Sequence, residues 1–242
     1  MTVERNAASS NRILAALSEE SRQSLLPGSS RVHVPSGHVL YEAGTKIANV
    51  YFVESGLVSL VKTLNDSRSV AFSAVGHEGI APPTAIFGIE RTIMESVALI
   101  PATVLCIPIE DFRALLGRDS ELTRLIQRYV SAVLNRFAQT AACNAMHPVE
   151  ARCAQWLLMA HDSAFRDEFP LTHDFLAGVL AVRRESVSIA ANALQNSGVI
   201  WYRHGRVSVT DRRGLERAAC ECYLMVRRLF DDVYLGGVKI GS

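Results

Sequence analysis

The chain has 242 residues, a length that suits two modest domains or one large domain. Hydrophobic residues make up 49% of it and charged residues 20%, so the composition excludes a wholly disordered chain. The formal net charge of +1 excludes a uniformly basic surface but allows a basic patch within one segment.

The sequence shows no membrane span and no secretory signal. The longest apolar run, 97–109, is shorter than the roughly 18 residues needed to cross a bilayer and contains two prolines. The first ten residues lack the apolar core of a signal peptide, so we expect a cytoplasmic protein without membrane contact. No C-x-x-C spacing occurs, so buried thiols and no metal site are predicted for the five cysteines, which are Cys106, Cys143, Cys153, Cys220 and Cys222.

The N-terminal half is predicted to be a leader helix or two followed by a β-rich domain. A short amphipathic stretch ends at Pro27 and Gly28. Short apolar and β-branched runs then alternate with turns, at 32–34, 39–41, 50–53, 57–62, 70–75 and 97–107. This spacing predicts a small β-sandwich or barrel-like roll. Its turns are expected at Gly37, Gly44, Gly56, Gly76 and Gly79.

One long helix is predicted over 119–144, where apolar residues recur every three or four positions. A helix of about 25 residues spans about 40 Å, more than a small roll needs to cover its own face. Part of the stripe should therefore meet another surface, either a two-fold dimer seam or the chain's own domains. We favour the seam, formed by Leu122, Ile126, Tyr129, Val133 and Phe137.

The segment after His147-Pro148 has the pattern of a winged helix. A helix over 149–160 and a loop over 162–170 lead to Thr172, a capping residue for a short helix. A brief turn separates that helix from a second one over 184–196, as in a helix-turn-helix. Residues 199–210 then predict a hairpin that turns at His204-Gly205.

The same segment carries a local positive charge. Between residues 183 and 217 there are seven arginines and three acidic residues, an excess of four positive charges on a nearly neutral chain. Such an excess on a winged helix is typical of contacts with DNA phosphates. The sequence contains no Gly-rich phosphate loop, HExxH motif or nucleophile elbow, so we expect no enzyme activity.

Three stretches together resemble the bacterial regulators of the CRP/FNR superfamily, over nearly the whole chain. Gly37-His-Val-Leu-Tyr-Glu-Ala-Gly44 with 50–58 resembles the paired turns of a cyclic-nucleotide-binding roll. The segment 171–188 resembles the family's recognition segment, and 211–223 resembles the tail of one branch. The resemblance implies an α+β fold with a β-roll at 1–118, a dimerisation helix at 119–144 and a winged helix-turn-helix at 145–242.

The resemblance further implies a homodimer that regulates transcription from a near-palindromic duplex DNA site, with RNA polymerase as a further candidate partner. Two positions depart from the family: Ala181 stands where glycine is frequent, and Ile189 stands where many members have a second base-reading arginine. The residues expected to contact DNA are Arg183, Arg184, Glu185, Ser186, Ser188, Ile189 and Arg206.

The effector motif is incomplete. Family members that bind cyclic nucleotides use a glutamate after a glycine and an Arg-Ser/Thr-Ala run. Here Glu78 lies one position late, and Arg91-Thr92 is followed by Ile93 instead of alanine. We therefore expect no cyclic nucleotide and no cofactor. The alternative is an effector-gated regulator that binds a cyclic nucleotide or another small ligand at Glu78, Arg91 and Thr92.

Overall fold

The structure is a computed structural model that describes residues 9–65 and 69–235. It begins with two short helices, α1 (Arg12–Ala16) and α2 (Glu19–Leu25). Asn11 caps α1 by accepting from the backbone N–H groups of Ile13 and Leu14, and its amide donates to the carbonyls of Val53 and Gly79. This buried side chain joins the leader to the sheet that follows.

The first domain is a roll of six antiparallel strands, as predicted. They are β1 (Ser30–Val34), β2 (Val39–Tyr41), β3 (Asn49–Thr63), β4 (Ser69–Val75), β5 (Ile80–Ala81) and β6 (Glu95–Pro108). The order is β1-β6-β3-β4, with β2 paired to β6 and β5 to β3. A 3-10 helix covers Pro83–Phe87.

The two runs on either side of Gly56 form one strand instead of two. The register of β3 against β6 shifts between Ser55 and Leu57, and Gly56 has a φ of +81°. A Cβ at Gly56 would collide with the backbone of Pro101 and Ala102. This glycine therefore permits a β-bulge within a continuous strand, and the prediction of a turn here is wrong.

Helices α3 (Ile109–Arg118) and α4 (Ser120–Met146) follow the roll. Asp119 caps α4 by accepting from the N–H groups of Glu121 and Leu122. Helix α4 is the long helix that the periodicity predicts. No helix among the described residues is long and apolar enough to cross a membrane.

The C-terminal part contains a winged helix and one further helix. Its elements are α5 (Val149–Ala164), β7 (Glu168–Pro170), α6 (His173–Leu180), α7 (Arg184–Asn196), β8 (Ile200–Arg203), β9 (Arg206–Val209), α8 (Arg212–Ala218) and α9 (Cys222–Tyr234). Strand β7 lies in the predicted loop and pairs with β9, which extends the hairpin to a three-stranded sheet.

Helix α9 joins the two cores, and its first turn places Tyr223 in the core of the winged helix. Its buried residues Val226, Phe230 and Val233 belong to the core formed by the roll, the leader, α3 and α4. The winged helix has its own core, which continues onto Leu57, Ala71 and Leu99 of the roll. The division of the chain at 118 and 144 stays a prediction, and its outer limits at residues 1 and 242 lie outside the described residues.

Candidate nucleic-acid interface

Helices α6 and α7 meet at a turn that begins with a left-handed residue. Thr172 caps α6 through a 3.2 Å hydrogen bond from the Phe175 N–H to its hydroxyl. Ala181 ends α6 with φ 52° and ψ 45°, and the following Val182 N–H donates to the Ala177 carbonyl. An alanine in this conformation lacks the freedom of the glycine frequent in the family, so the turn is strained.

Helix α7 has one buried face and one exposed face. Val187, Ala190, Ala191 and Leu194 are buried, as the helical spacing predicts. The opposite face exposes Arg184, Glu185, Ile189 and Asn192, and Ile189 is 72% exposed. Its aliphatic side chain is available to an apolar group of a partner.

Two of the residues predicted to contact DNA are less accessible than the others. Ser186 and Ser188 are half-buried. The Ser188 hydroxyl lies 3.2 Å from Nδ1 of His173 and donates to the Arg184 carbonyl at 3.1 Å. Burial and the Arg184 charge lower the pKa of His173, which favours the neutral ring. Ser188 is thus engaged within the protein, while Arg183 is exposed at the helix start.

The wing places a second arginine near the helix-turn-helix. Strands β8 and β9 turn through His204 and Gly205, both at positive φ. The ring of Tyr202 on β8 stacks on His173 at 4.3 Å, so the wing packs on the start of α6. Arg206 is half exposed and pairs with Glu168 of β7.

The seven arginines between residues 183 and 217 differ in their ion pairs. Arg212 is held by Asp162 at 2.7 Å and by Glu216 at 3.1 Å, so it supports the fold. The Arg184 side chain is mostly exposed and lies 3.3 Å from the exposed Asp174. Exposed pairs of this kind contribute little to stability and can exchange for a phosphate or a base. Arg183, Arg203 and Arg213 are exposed without an ion pair in the part of the chain that the structure describes.

The three predicted effector residues each make hydrogen bonds within the protein. The Glu78 carboxylate accepts from Arg136 of α4 at 2.9 Å and from the Gly76 N–H. Burial is the largest influence on Glu78 and raises its pKa, but the charges of Arg136 and His77 and the hydrogen bonds to the carboxylate together outweigh it, so the pKa lies below its ordinary value. Thr92 is buried and donates to the Met94 carbonyl, while Arg91 donates to the Gly44 carbonyl at the surface.

A cavity of about 320 Å³ lies beside Glu78, between the roll, α5 and α9. Its charged lining residues include Arg12, Arg136 and Arg227. Neither Arg91 nor Thr92 lines it. The cavity is therefore lined by one of the three predicted effector residues, Glu78, and not by the other two.

The predicted seam of the long helix is buried inside the chain. Leu122, Ile126, Tyr129 and Val133 are at most 3% exposed and lie in the core with the roll and α9. Phe137 packs edge-on against Phe72 at 5.2 Å. The prediction that Leu122, Ile126, Tyr129 and Val133 form a dimer seam is wrong, because the chain's own elements cover them. Phe137 is half-buried, and its part in a seam stays a prediction.

The opposite face of α4 is exposed and has coiled-coil spacing. Its residues follow one another at intervals of three and four over three heptads, and Leu134 is 58% exposed. Small side chains dominate the C-terminal part of this face, which lets another helix approach closely. The face consists of Arg124, Gln127, Ser131, Leu134, Ala138, Ala141 and Ala145.

Four residues that the sequence analysis did not connect lie together at the end of α4. They are Cys143, His147, Cys220 and Cys222, whose ligand atoms all lie within 4.8 Å of one another. Cys220 and Cys222 are buried as predicted, but against α4 and not against the wing. A hydrogen bond from the Cys143 thiol lowers the pKa of Cys220 to about 6. The i, i+4 pair Cys143/His147 and the Cys-x-Cys pair were the available signals.

Two family models match the chain, and together they cover more than half of it. Residues 31–119 match the cyclic nucleotide-binding domain, and residues 151–218 match the Crp-like helix-turn-helix domain. No curated protein matches the chain by sequence.

Solved structures share the fold. A CRP-family transcriptional regulator from Thermus thermophilus has a TM-score of 0.65 and 24% identity, over 78% of this chain and 96% of that chain. FixK2 from Bradyrhizobium japonicum has a TM-score of 0.65 and 17% identity, over 79% and 98%. The c-di-GMP responsive global regulator CLP of Xanthomonas campestris has a TM-score of 0.61 and 17% identity, over 79% and 99%.

Proposed function

The chain belongs to the CRP/FNR superfamily of transcription regulators, and we propose that it binds a near-palindromic DNA site as a homodimer without a cyclic nucleotide. The observation that carries this proposal is the exposed face of α7, with Arg184, Glu185, Ile189 and Asn192 beside the wing. A second helix of this kind enters the major groove.

The side chains of α7 predict a particular base preference. An arginine donates two hydrogen bonds to O6 and N7 of guanine, and a carboxylate accepts from N4 of cytosine. Arg184 and Glu185 therefore suit G·C pairs. Ile189 can contact a thymine methyl group, which favours an A·T pair at its position. Arg183 and Ser186 are assigned to the phosphate backbone, and Arg206 is assigned to phosphate or the minor groove.

The homodimer is proposed to form through the exposed face of α4 that contains Leu134. Its alternating spacing of three and four residues suits a two-helix seam, and its small residues allow close packing. A two-fold dimer presents two α7 helices to half-sites separated by about one helical turn or a multiple of it. This face replaces the buried stripe in the dimer assignment.

Independence from cyclic nucleotides is supported by the state of the motif residues. The Glu78 carboxylate already accepts a hydrogen bond from Arg136, and the Thr92 hydroxyl already donates one to the Met94 carbonyl. A ribose would have to displace a largely buried ion pair. We therefore expect no calorimetric heat of binding from cyclic AMP or cyclic GMP, and micromolar binding that Arg91→Ala abolishes would contradict this part of the proposal.

The alternative is gating by another small effector. The 320 Å³ cavity between the two domains is large enough for a small molecule. Arg12 and Arg136 in its lining are paired with Asp231 and Glu78, which leaves Arg227 as the arginine available to an anionic group. The similarly folded CLP is described as c-di-GMP responsive. Thermal shift with c-di-GMP tests this alternative, and Arg227→Ala should remove any shift that binding in this cavity produces.

Selection of bound duplexes from a random pool tests the proposed function directly. The wild type should return an inverted repeat with a G·C pair assigned to Arg184. Ile189→Arg adds a donor pair and should change one further position towards guanine. Leu224→Arg is the control, since it adds the same charge at an exposed apolar position of α9, away from α7. A half-site unchanged by Ile189→Arg would show that Ile189 does not face the groove.

A further inference from the structure

The end of α4 and the start of α9 bring together three thiols and one imidazole. The Sγ atoms of Cys143 and Cys220 are 3.6 Å apart, and Sγ of Cys222 lies 3.5 Å from Nδ1 of His147. Two sulfurs bound to one zinc at about 2.3 Å are about 3.8 Å apart in a tetrahedron. These two separations are close to the edges of such a tetrahedron, and all four ligand atoms lie within 4.8 Å of one another. A separation of 3.6 Å between two sulfurs is too long for a disulfide.

The surroundings of the four residues provide the outer contacts of a metal site. Nε2 of His147 lies 3.2 Å from the Glu221 carboxylate, which leaves Nδ1 facing the sulfurs. A carboxylate that accepts from the second ring nitrogen orients a metal-binding histidine. The Gln139 amide donates to Sγ of Cys222 at 2.9 Å, a bond that stabilises a thiolate.

Burial separates this cluster from ordinary surface groups. Cys143, Cys220 and Cys222 are at most 8% exposed, while His147 is half-buried. The sulfurs come from residues 77 positions apart in the chain, so the contact requires the complete tertiary fold. A set of three thiolates and one imidazole in tetrahedral arrangement is typical of structural zinc.

We propose that Cys143, Cys220, Cys222 and Nδ1 of His147 bind one zinc ion. Each sulfur that is still protonated releases its proton to solvent as the metal bond forms, and no electron is transferred. The ion connects the last turn of α4 to the chain that leaves α8 and enters α9. The site is independent of DNA binding, so the proposed function can fail while this proposal holds.

Cobalt titration of the reduced full-length protein tests the site. One equivalent of Co²⁺ should give sulfur-to-cobalt charge-transfer absorption and the visible bands of a tetrahedral ion, and Zn²⁺ should displace it. Cys143→Ser and Cys220→Ser should each lower the Co²⁺ affinity at least tenfold. Cys106→Ser is the matched control, since this thiol lies on β6 outside the cluster, and should leave the spectrum unchanged.

A second measurement needs no variant and remains valid if the substitutions impair folding. Zn²⁺ should slow the alkylation of Cys143, Cys220 and Cys222 in the wild type, as mapped by mass spectrometry, and leave the rate at Cys106 unchanged. Glu221→Gln should weaken zinc binding about tenfold to a hundredfold by loosening the orientation of His147.

Three results would overturn the proposal. The first is a reduced wild type that gives no charge-transfer absorption and no zinc protection of the three thiols. The second is iron with acid-labile sulfide at these cysteines in the purified protein. The third is a Cys143–Cys220 disulfide that forms in air while the reduced protein binds no Zn²⁺.

Discussion

Glu78 of the roll and Arg136 of α4 form an ion pair of 2.9 Å in which the Arg136 side chain is only 4% exposed. The Arg136 guanidinium also lies over the ring of Phe230 on α9, and the Tyr234 hydroxyl donates to the Glu78 carbonyl. The acidic residue that the motif suggests for a ribose is therefore part of the contact between three elements of the fold.

This ion pair predicts a pH dependence of stability. The folded-state pKa of Glu78 lies below its ordinary value, so its contribution is present above about pH 4.5 and is lost as the pH falls through the lowered pKa. Glu78→Gln leaves Arg136 without its partner and should cost about 3 to 5 kcal/mol at pH 7. Urea unfolding between pH 7 and pH 3 should show this difference shrinking towards acid. A difference that stays constant with pH would contradict the assignment.

Replacement of Arg184 and replacement of Arg206 should have different effects on the affinity for DNA. Arg184→Ala should cost about 1 to 3 kcal/mol on the best site and little on random DNA, because it removes a base contact. Arg206→Ala should weaken all sequences alike and reduce the slope of log affinity against log salt, because it removes a phosphate contact. Fluorescence anisotropy on specific and random duplexes at several salt concentrations measures both effects. Equal losses for Arg184→Ala on the two duplexes would place Arg184 on the backbone.

The exposed leucine of α4 should control dimerisation. Leu134→Glu places like charges across the two-fold axis and should raise the dimer dissociation constant at least tenfold, or about 1.4 kcal/mol. Sedimentation equilibrium measures the change. Leu224→Glu is the control, because Leu224 is an exposed leucine on α9. If Leu134→Glu stays as dimeric as this control, the seam lies elsewhere.

The turn between α6 and α7 offers a stabilising substitution. Ala181→Gly relieves a left-handed alanine, and after the entropy lost by glycine it should add about 0.5 to 1 kcal/mol to the free energy of unfolding. Ala177→Gly, inside α6, should lower it by a similar amount. Chemical denaturation compares the two variants. Destabilisation by both would mean that residue 181 is not left-handed in solution.

Local patterns predicted most of the elements, and long-range contacts account for what they missed. The spacing of Val187, Ala190 and Leu194 identifies the buried face of α7, since a helical period depends on neighbouring residues alone. The apolar stripe of α4 is buried, as its helical period predicts. The period alone does not determine whether the chain's own domains or a second protomer cover the stripe. The motif around Glu78 likewise gave no sign of the partner of this carboxylate, because that partner, Arg136, lies 58 residues later.

Two further features were also missed. Strand β7 has three residues and ends in Pro170, so it is too short for a recognisable alternation and becomes a strand only beside β9. The grouping of Cys143 with Cys220 depends on the path of α8 and α9, which no short motif encodes.

Helix α9 also determines how the DNA-binding part of the chain can move. The chain leaves the first core along α4, forms the winged helix and returns to the same core through α9, where Asp231 pairs with Arg12 at 2.7 Å. The winged helix is therefore connected to the first core at both of its ends and cannot rotate about a single hinge. Reorientation of the recognition helix relative to the first core therefore requires a change at both connections, along α4 and at the contact of α9 with that core.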